Sequence, residues 1–88
     1  MEEAWESAAL DMPTIFRDGT TRVYFYSKEG PRAHVHVKMG SSKVKVWLDD
    51  LSTRNPVDMT KKQIRDSVAL VARHRDEFQR AWDGYFQT

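Results

Sequence analysis

The chain has 88 residues, a formal net charge of +1 and no cysteine. This length allows one domain with a modest core, and the absence of cysteine excludes a disulfide scaffold, a thiolate zinc site and a cysteine nucleophile. The apolar runs are too short for a membrane helix, and the acidic start of the chain does not resemble a signal peptide. We therefore predict a cytoplasmic protein with no membrane partner.

The charge is distributed unevenly along the chain. Residues 1–12 contain four acidic residues and no basic one, whereas residues 13–88 carry a net charge of +5. We interpret residues 1–11 as an acidic N-terminal extension, either flexible or a short helix, and residues 12–88 as a single α+β domain. The opposite charges lead us to expect that the extension covers basic surface of the domain.

Residues 14–51 are typical of β-strands. The segments His34–Met39 and Lys43–Leu48 alternate between apolar and polar residues, which indicates strands with one buried side. The segment Thr20–Tyr26 is rich in β-prone residues, and a further short strand is expected at Thr14–Arg17. These segments predict a small antiparallel sheet of three or four strands.

Residues 60–86 are typical of one long C-terminal helix packed on that sheet. Thr60 and Gln63 form a capping-box pattern at its start, and apolar residues then recur at three- and four-residue spacing. The helix would be about 40 Å long at ~1.5 Å per residue, whereas a six-residue strand spans only about 20 Å. Because the sheet cannot cover the whole helix, we expect either a bend near Arg73–Asp76 or another partner for the aromatic end.

The aromatic end of the helix is therefore a predicted interface. It consists of Phe78, Trp82, Tyr85 and Phe86. Exposed aromatic surface of this kind marks an interaction site. The candidate partners are Trp5 and Leu10 of the acidic extension, or a second copy of the chain in a homodimer.

Strand alternation divides the predicted sheet into two sides. The apolar side should form the core under the helix and collects Val23, Phe25, Val35, Val37, Val44, Val46 and Leu48. The other side, called the outer face below, collects Arg22, Tyr24, Tyr26, His34, His36, Lys38, Lys43, Lys45 and Trp47. A four-residue hairpin loop at Met39–Ser42 would place Lys38 opposite Lys43 and His36 opposite Lys45. Like charges directly opposite are mildly destabilising, which favours an anionic partner.

The composition of the outer face is compatible with three interpretations. In a nucleic-acid-binding surface, the cations would contact phosphates while the aromatic rings stack on bases. The aromatic rings would equally suit a protein interface, and all of these residue types also occur on ordinary solvated strands. Lys61 and Lys62 form a secondary candidate anion site, because a helix N-terminus favours negative charge.

Histidines suggest two further interpretations. His34 and His36 are weak metal candidates, since positions i and i+2 of a strand face the same side, but two ligands flanked by lysines do not make a zinc site. We therefore predict no metal and no cofactor. The outer face also holds acid–base and phosphate-stabilising groups that a small metal-independent ribonuclease-like enzyme would need. No spacing specifies that chemistry, so we favour a non-catalytic role and assign no catalytic residue.

Five segments, in order along the chain, resemble a known family. They are Met12–Arg17, Tyr24–Ser27, His34–Val37, Lys45–Leu48 and Ala81–Phe86. They look like domain of unknown function 4160, a small and mostly bacterial family in which two prolines commonly stand where this chain has Arg32 and Ala33. The resemblance implies no established activity, but it does imply an association with toxin–antitoxin-type two-gene operons. We predict a small binding module that contacts a protein or a nucleic acid through the outer face, with the ribonuclease-like enzyme as the alternative.

Overall fold

The computed structural model describes residues 14–25 and 32–86 of the chain. It contains β1 (Thr14–Asp18), β2 (Thr21–Tyr24), β3 (His34–Met39), β4 (Ser42–Trp47), β5 (Thr53–Val57), α1 (Lys61–Arg73) and α2 (Arg75–Phe86). The predictions for the acidic extension and for Tyr26 lie outside the described residues. The α+β class and the antiparallel sheet are confirmed.

The five strands form one antiparallel meander in the order β1-β2-β3-β4-β5. Gly19 and Gly40 each adopt a φ of 61° directly after a strand, and this allows the tight turns that join β1 to β2 and β3 to β4. Met39 pairs with Ser42, so the hairpin register predicted for this loop is confirmed. Lys38 therefore lies opposite Lys43, and His36 lies opposite Lys45.

The fifth strand corrects the prediction of three or four strands. β5 pairs with the edge of β4 that is not paired with β3. The β5 sequence does so although it contains Asn55 and Pro56. Asn55 has a φ of 57°. The register between β4 and β5 shifts between Lys43 and Lys45, which marks a β-bulge in β5 at Asn55 and Pro56. Proline is tolerated in an edge strand because no further strand needs its missing N–H.

The prediction of a single C-terminal helix is wrong, because the helix is interrupted at His74. The capping box at the start of α1 is confirmed, with Thr60 accepting from the Gln63 backbone N–H at 3.1 Å. The interruption falls within the interval 73–76 where a bend was expected. It divides the apolar residues that recur at three- and four-residue spacing between two shorter helices. Among the described residues, no helix is long and apolar enough to cross a membrane.

Both helices pack on the predicted apolar side of the sheet. The buried cluster contains Val23, Phe25, Val35, Val37, Val44, Val46, Leu48, Leu70, Val71, Phe78 and Trp82. The two-helix arrangement lets the apolar residues of α1 and α2 reach a sheet that is too short for one straight helix. The apolar side therefore forms the core, as the alternation predicts.

The aromatic end of α2 belongs mostly to this core. Phe78 is fully buried and Trp82 is 6% exposed, whereas Tyr85 is 42% exposed. The Phe25 ring lies 5.4 Å from the Trp82 ring and 5.3 Å from the Tyr85 ring, measured between centroids. The homodimer stays a prediction, but Phe78 and Trp82 do not provide exposed surface for it.

Arg75 connects the first turn of α2 to the end of β4. Its Nε donates a hydrogen bond to the Leu48 carbonyl oxygen at 2.7 Å, and its Nη2 donates to the Asp49 carbonyl oxygen. Arg75 is a charged residue within the apolar pattern of the C-terminal helices. In the fold it binds backbone carbonyl groups that are 26 and 27 residues away in sequence. These bonds hold α2 against the turn between β4 and β5.

Candidate functional site

The strand registers align four basic side chains in one row across the outer face. Arg17 of β1 pairs with Arg22, Arg22 pairs with Lys38, and Lys38 pairs with Lys43. Because directly paired residues of antiparallel strands point to the same side, all four lie on the outer face. We call Arg17, Arg22, Lys38 and Lys43 the cation row. It spans about 14 Å, since neighbouring strands are ~4.8 Å apart.

A second row runs parallel to the cation row. Its members, in strand order, are Thr14, Tyr24, His36, Lys45 and Arg54. The rings of Tyr24 and His36 are stacked, with their centroids 5.2 Å apart. The Arg22 guanidinium lies 4.6 Å from the centre of the Tyr24 ring, so the two rows are in contact.

His34 and Trp47 form a third pair at the end of the outer face. The His34 ring lies 4.9 Å from the Trp47 ring and 5.2 Å from the Trp82 ring, measured between centroids. The Arg32 guanidinium covers the Trp47 ring at 4.1 Å. The Trp47 ring therefore meets His34 edge to face and is covered by the Arg32 guanidinium at this end of the sheet.

This packing corrects the expectation for Tyr24, whose ring is not an open plane for base stacking. Tyr24 is 2% exposed and His34 is 3% exposed. Both occupy the outer-face positions that the alternation predicts, but neighbouring rings and guanidinium groups surround them. Lys45 places its Nζ 4.9 Å from the centre of the Trp47 ring, which adds a second cation to that ring. The basic side chains, rather than the rings, dominate the accessible part of the outer face.

The outer face is also poor in acidic groups. Asp18 is the only acidic residue among the described strand residues. It lines a hollow on the helix side of the sheet together with Leu70 and Arg73. Lys38 and Lys43 make no ion pair with any residue in the ranges 14–25 and 32–86. The positive charge of Lys38 and Lys43 is thus not neutralised by a carboxylate of the described residues.

Arg32, two residues before β3, makes specific contacts with the turn that follows β4. Its Nε and Nη2 each donate a hydrogen bond of 2.9 Å to the Asp49 carboxylate. These bonds are the main reason that the pKa of Asp49 lies below its ordinary value. The pKa of Asp50 is lowered chiefly by the backbone N–H of Ser52.

Replacing Arg32 with glutamine is expected to raise the pKa of Asp49 towards its ordinary value. Because the folded pKa is below the unfolded one, the carboxylate stabilises the fold above the unfolded pKa, and this stabilisation is lost as the pH falls through the folded pKa. Carboxyl ¹³C shifts followed by NMR against pH measure both values. The pKa of Asp50 should rise less, because Ser52 lowers it chiefly and the Arg32 Nη2, 3.4 Å from its carboxylate, contributes less. An unchanged pKa of Asp49 would refute the assignment.

A small hollow interrupts the outer face beside the β-bulge between β4 and β5. Its volume is about 170 Å³, and its lining includes Tyr24, His36, Lys43, Lys45, Asn55 and Val57. We call it the bulge hollow. Two lysines, a histidine and an asparagine are among its lining residues, and such side chains are suited to holding an anion. The Lys45 Nζ lies near the Trp47 ring, so Lys45 would bind an anion in the hollow by changing its side-chain rotamer.

The weaker sequence candidates are located as follows. The Nδ1 atom of His34 lies 2.9 Å from the Arg32 carbonyl oxygen, and the ring packs among aromatic groups. No three potential metal-binding side chains lie together within the described part of the chain. Lys61 and Lys62 are exposed at the start of α1, where the Lys62 Nζ is paired with Asp66 at 2.9 Å.

Sequence reasoning missed three residues of the outer face. Arg17 belongs to the cation row through its pairing with Arg22, and Arg54 joins the second row through its pairing with Lys45. Asn55 reaches the bulge hollow from a strand that was not predicted. A signal existed only for Arg17, because a paired strand before the Asp18-Gly19 turn would place it opposite Arg22.

Comparison with known proteins identifies the family. Residues 21–83 match the model of a family described as domain of unknown function (DUF4160). The match covers most of the chain, so the chain belongs to this family and the resemblance seen in the sequence is confirmed. No curated protein and no solved structure is significantly similar to the chain.

Proposed function

We propose that this member of the DUF4160 family is a small, non-catalytic module that binds the phosphate backbone of a nucleic acid with its outer face. The observation that carries the proposal is the cation row, in which four basic residues lie side by side on four neighbouring strands. From the resemblance we add that the module is one component of a toxin–antitoxin-type regulatory pair.

The physical argument is the cost of placing like charges next to each other. Each neighbouring pair in the cation row is directly opposed across a strand boundary, an arrangement that weakens a sheet. A polyanion would neutralise the row and release its own bound counterions, which makes the association favourable and salt-dependent. Lys38 and Lys43 have no carboxylate partner among residues 14–25 and 32–86, which supports an anion from a binding partner at these two positions.

The packing of the aromatic rings defines the type of contact. Tyr24 stacks on His36 within the sheet, and Trp47 is covered by Arg32. Rings engaged in this way do not offer stacking planes to bases, which single-strand-specific proteins require. We therefore propose contact with the sugar-phosphate backbone, with little dependence on base sequence.

An amide chemical-shift titration of ¹⁵N-labelled protein tests the proposed function. Short RNA and DNA are expected to shift the amides of Arg17, Arg22, Lys38 and Lys43 at low salt, with smaller shifts at high salt. An uncharged peptide nucleic acid of the same sequence is the matched control and should leave these amides unchanged.

Three results would contradict the proposal. Amide shifts confined to α1 and α2, or no shifts at low salt, would remove the outer face as the binding surface. Equal shifts with an acidic peptide, retained at high salt, would favour a protein partner. Cleavage of the RNA during the titration would support the ribonuclease-like alternative.

A further inference from the structure

The β-bulge between β4 and β5 creates a local arrangement that a regular strand pair would not have. Lys43 pairs with Val57 and Lys45 pairs with Arg54, so Asn55 and Pro56 together lie opposite Val44. Bulges of this kind redirect a side chain or end the pairing of two strands. Here the bulge brings Asn55 to the edge of the bulge hollow.

Asn55 adopts a backbone conformation that is unfavourable for most residues. Its φ of 57° lies in the left-handed region, where asparagine is better tolerated than most side chains. Glycine would adopt this conformation more readily, so the conformation alone does not account for a side chain here. The carboxamide of Asn55 lines the bulge hollow beside Lys43 and Lys45.

The groups around the bulge hollow are matched to a phosphoryl group. Lys43 and Lys45 supply positive charge from one strand, and Asn55 supplies two amide donors from the next. The stacked rings of Tyr24 and His36 lie along the opposite side. The volume of about 170 Å³ is many times that needed for one water, so a tetrahedral anion fits. Two ammonium groups make the same hollow unfavourable for a metal cation.

We propose that the bulge hollow is a phosphate-ester subsite, in which Lys43, Lys45 and Asn55 bind one phosphoryl group of the ligand. The inference rests on the proposed function, because Lys43 belongs to the cation row and also lines the bulge hollow. A nucleic acid tracked by the cation row would place one phosphate, either internal or terminal, between the two lysines and the amide.

Asn55→Gly is the most informative variant. Glycine tolerates the positive φ, so the substitution removes the carboxamide and preserves the backbone. Loss of one hydrogen bond at this exposed position is expected to weaken oligonucleotide binding about threefold to tenfold. Lys45→Gln should weaken binding by a similar or larger factor, while Arg80→Gln, an exposed cation of α2, should leave affinity unchanged.

Isothermal titration with three probes separates the sources of the phosphoryl group. A 5′-phosphorylated oligonucleotide, the same oligonucleotide with a 5′-hydroxyl, and inorganic phosphate are each titrated into the wild type and the variants. Tighter binding of the phosphorylated end, lost in Asn55→Gly, supports a terminal phosphate. Equal binding of both oligonucleotides, weakened in Asn55→Gly, supports an internal one.

The outcome also distinguishes this inference from the proposed function. If Asn55→Gly and Lys45→Gln bind like the wild type while Arg22→Gln binds more weakly, the subsite is wrong and the outer face remains the binding surface. If no oligonucleotide binds the wild type at low salt, both proposals are overturned. Thermal unfolding of each variant shows whether the fold is retained.

Discussion

The variant Phe78→Ala is expected to lose about 3–5 kcal/mol of the free energy of unfolding. Phe78 is fully buried, and its ring lies 6.1 Å from the Phe16 ring and 5.5 Å from the His74 ring, measured between centroids. Truncation removes apolar contacts at the junction of α2, α1 and β1 and leaves a cavity there. Urea unfolding followed by circular dichroism measures the loss.

Tyr85→Ala is the matched control for this prediction. Tyr85 is an aromatic residue of the same helix, but it is 42% exposed, so its removal should cost clearly less. Phe78→Leu keeps most of the apolar volume and remains measurable if the alanine variant does not fold. The stability difference should not depend on protein concentration, because Phe78 packs within its own chain. A loss of stability seen only together with loss of a dimer would contradict this placement.

The triple variant Arg22→Gln, Lys38→Gln and Lys43→Gln is expected to remove most of the nucleic-acid affinity at low salt. Each phosphate neutralised on duplex DNA contributes about −0.9 to the slope of log K against log salt. Four contacts from the cation row predict a slope of about −3 to −4, or roughly a hundredfold loss of wild-type affinity between about 50 and 200 mM salt. The triple variant should have a slope near about −1.

The control for this variant has the same charge change on the other side of the molecule. Arg65, Arg73 and Arg80 are exposed on the two helices, and their replacement with glutamine lowers the net charge equally. Fluorescence anisotropy with a labelled duplex at four salt concentrations gives both slopes. If the helix variant loses as much affinity as the row variant, the binding depends on net charge and not on the cation row.

The elements of the fold follow closely from local sequence patterns. Alternation in His34–Met39 and Lys43–Leu48 predicts two strands and the side that each residue faces, and the structure has them at His34–Met39 and Ser42–Trp47. Gly40 predicts the turn, and the turn determines the register between the strands. These features could be predicted because each depends on residues a few positions apart.

β5 could not be obtained in this way, and the helix break was expected only as one of two alternatives. β5 contains Asn55 and Pro56, which locally favour a turn, and it becomes a strand because β4 offers an edge for pairing. The break at His74 is accompanied by the bonds from Arg75 to the end of β4, a partner far away in sequence. In both cases a tertiary contact overrides the local preference.

The candidate site was predicted in composition but only partly in arrangement. The sequence indicated a basic outer face containing Arg22, Lys38 and Lys43. Arg17 was not included in the predicted face, although a strand that ends at the Asp18-Gly19 turn places it opposite Arg22. Nor did the sequence indicate that Tyr24 and His34 are buried, since alternation determines the side of a residue and not what covers it.

Local sequence patterns were sufficient to predict the pairing of the two alternating strands, the helix start at Thr60 and the side of the sheet that carries the positive charge. These properties arise from periodicity, capping and turn formation, which act over a few residues. Only the tertiary structure decided that four cations form one row, that Asn55 joins Lys43 and Lys45, and that Phe78 lies in the core. Such arrangements depend on contacts between residues distant in sequence, which no local pattern encodes.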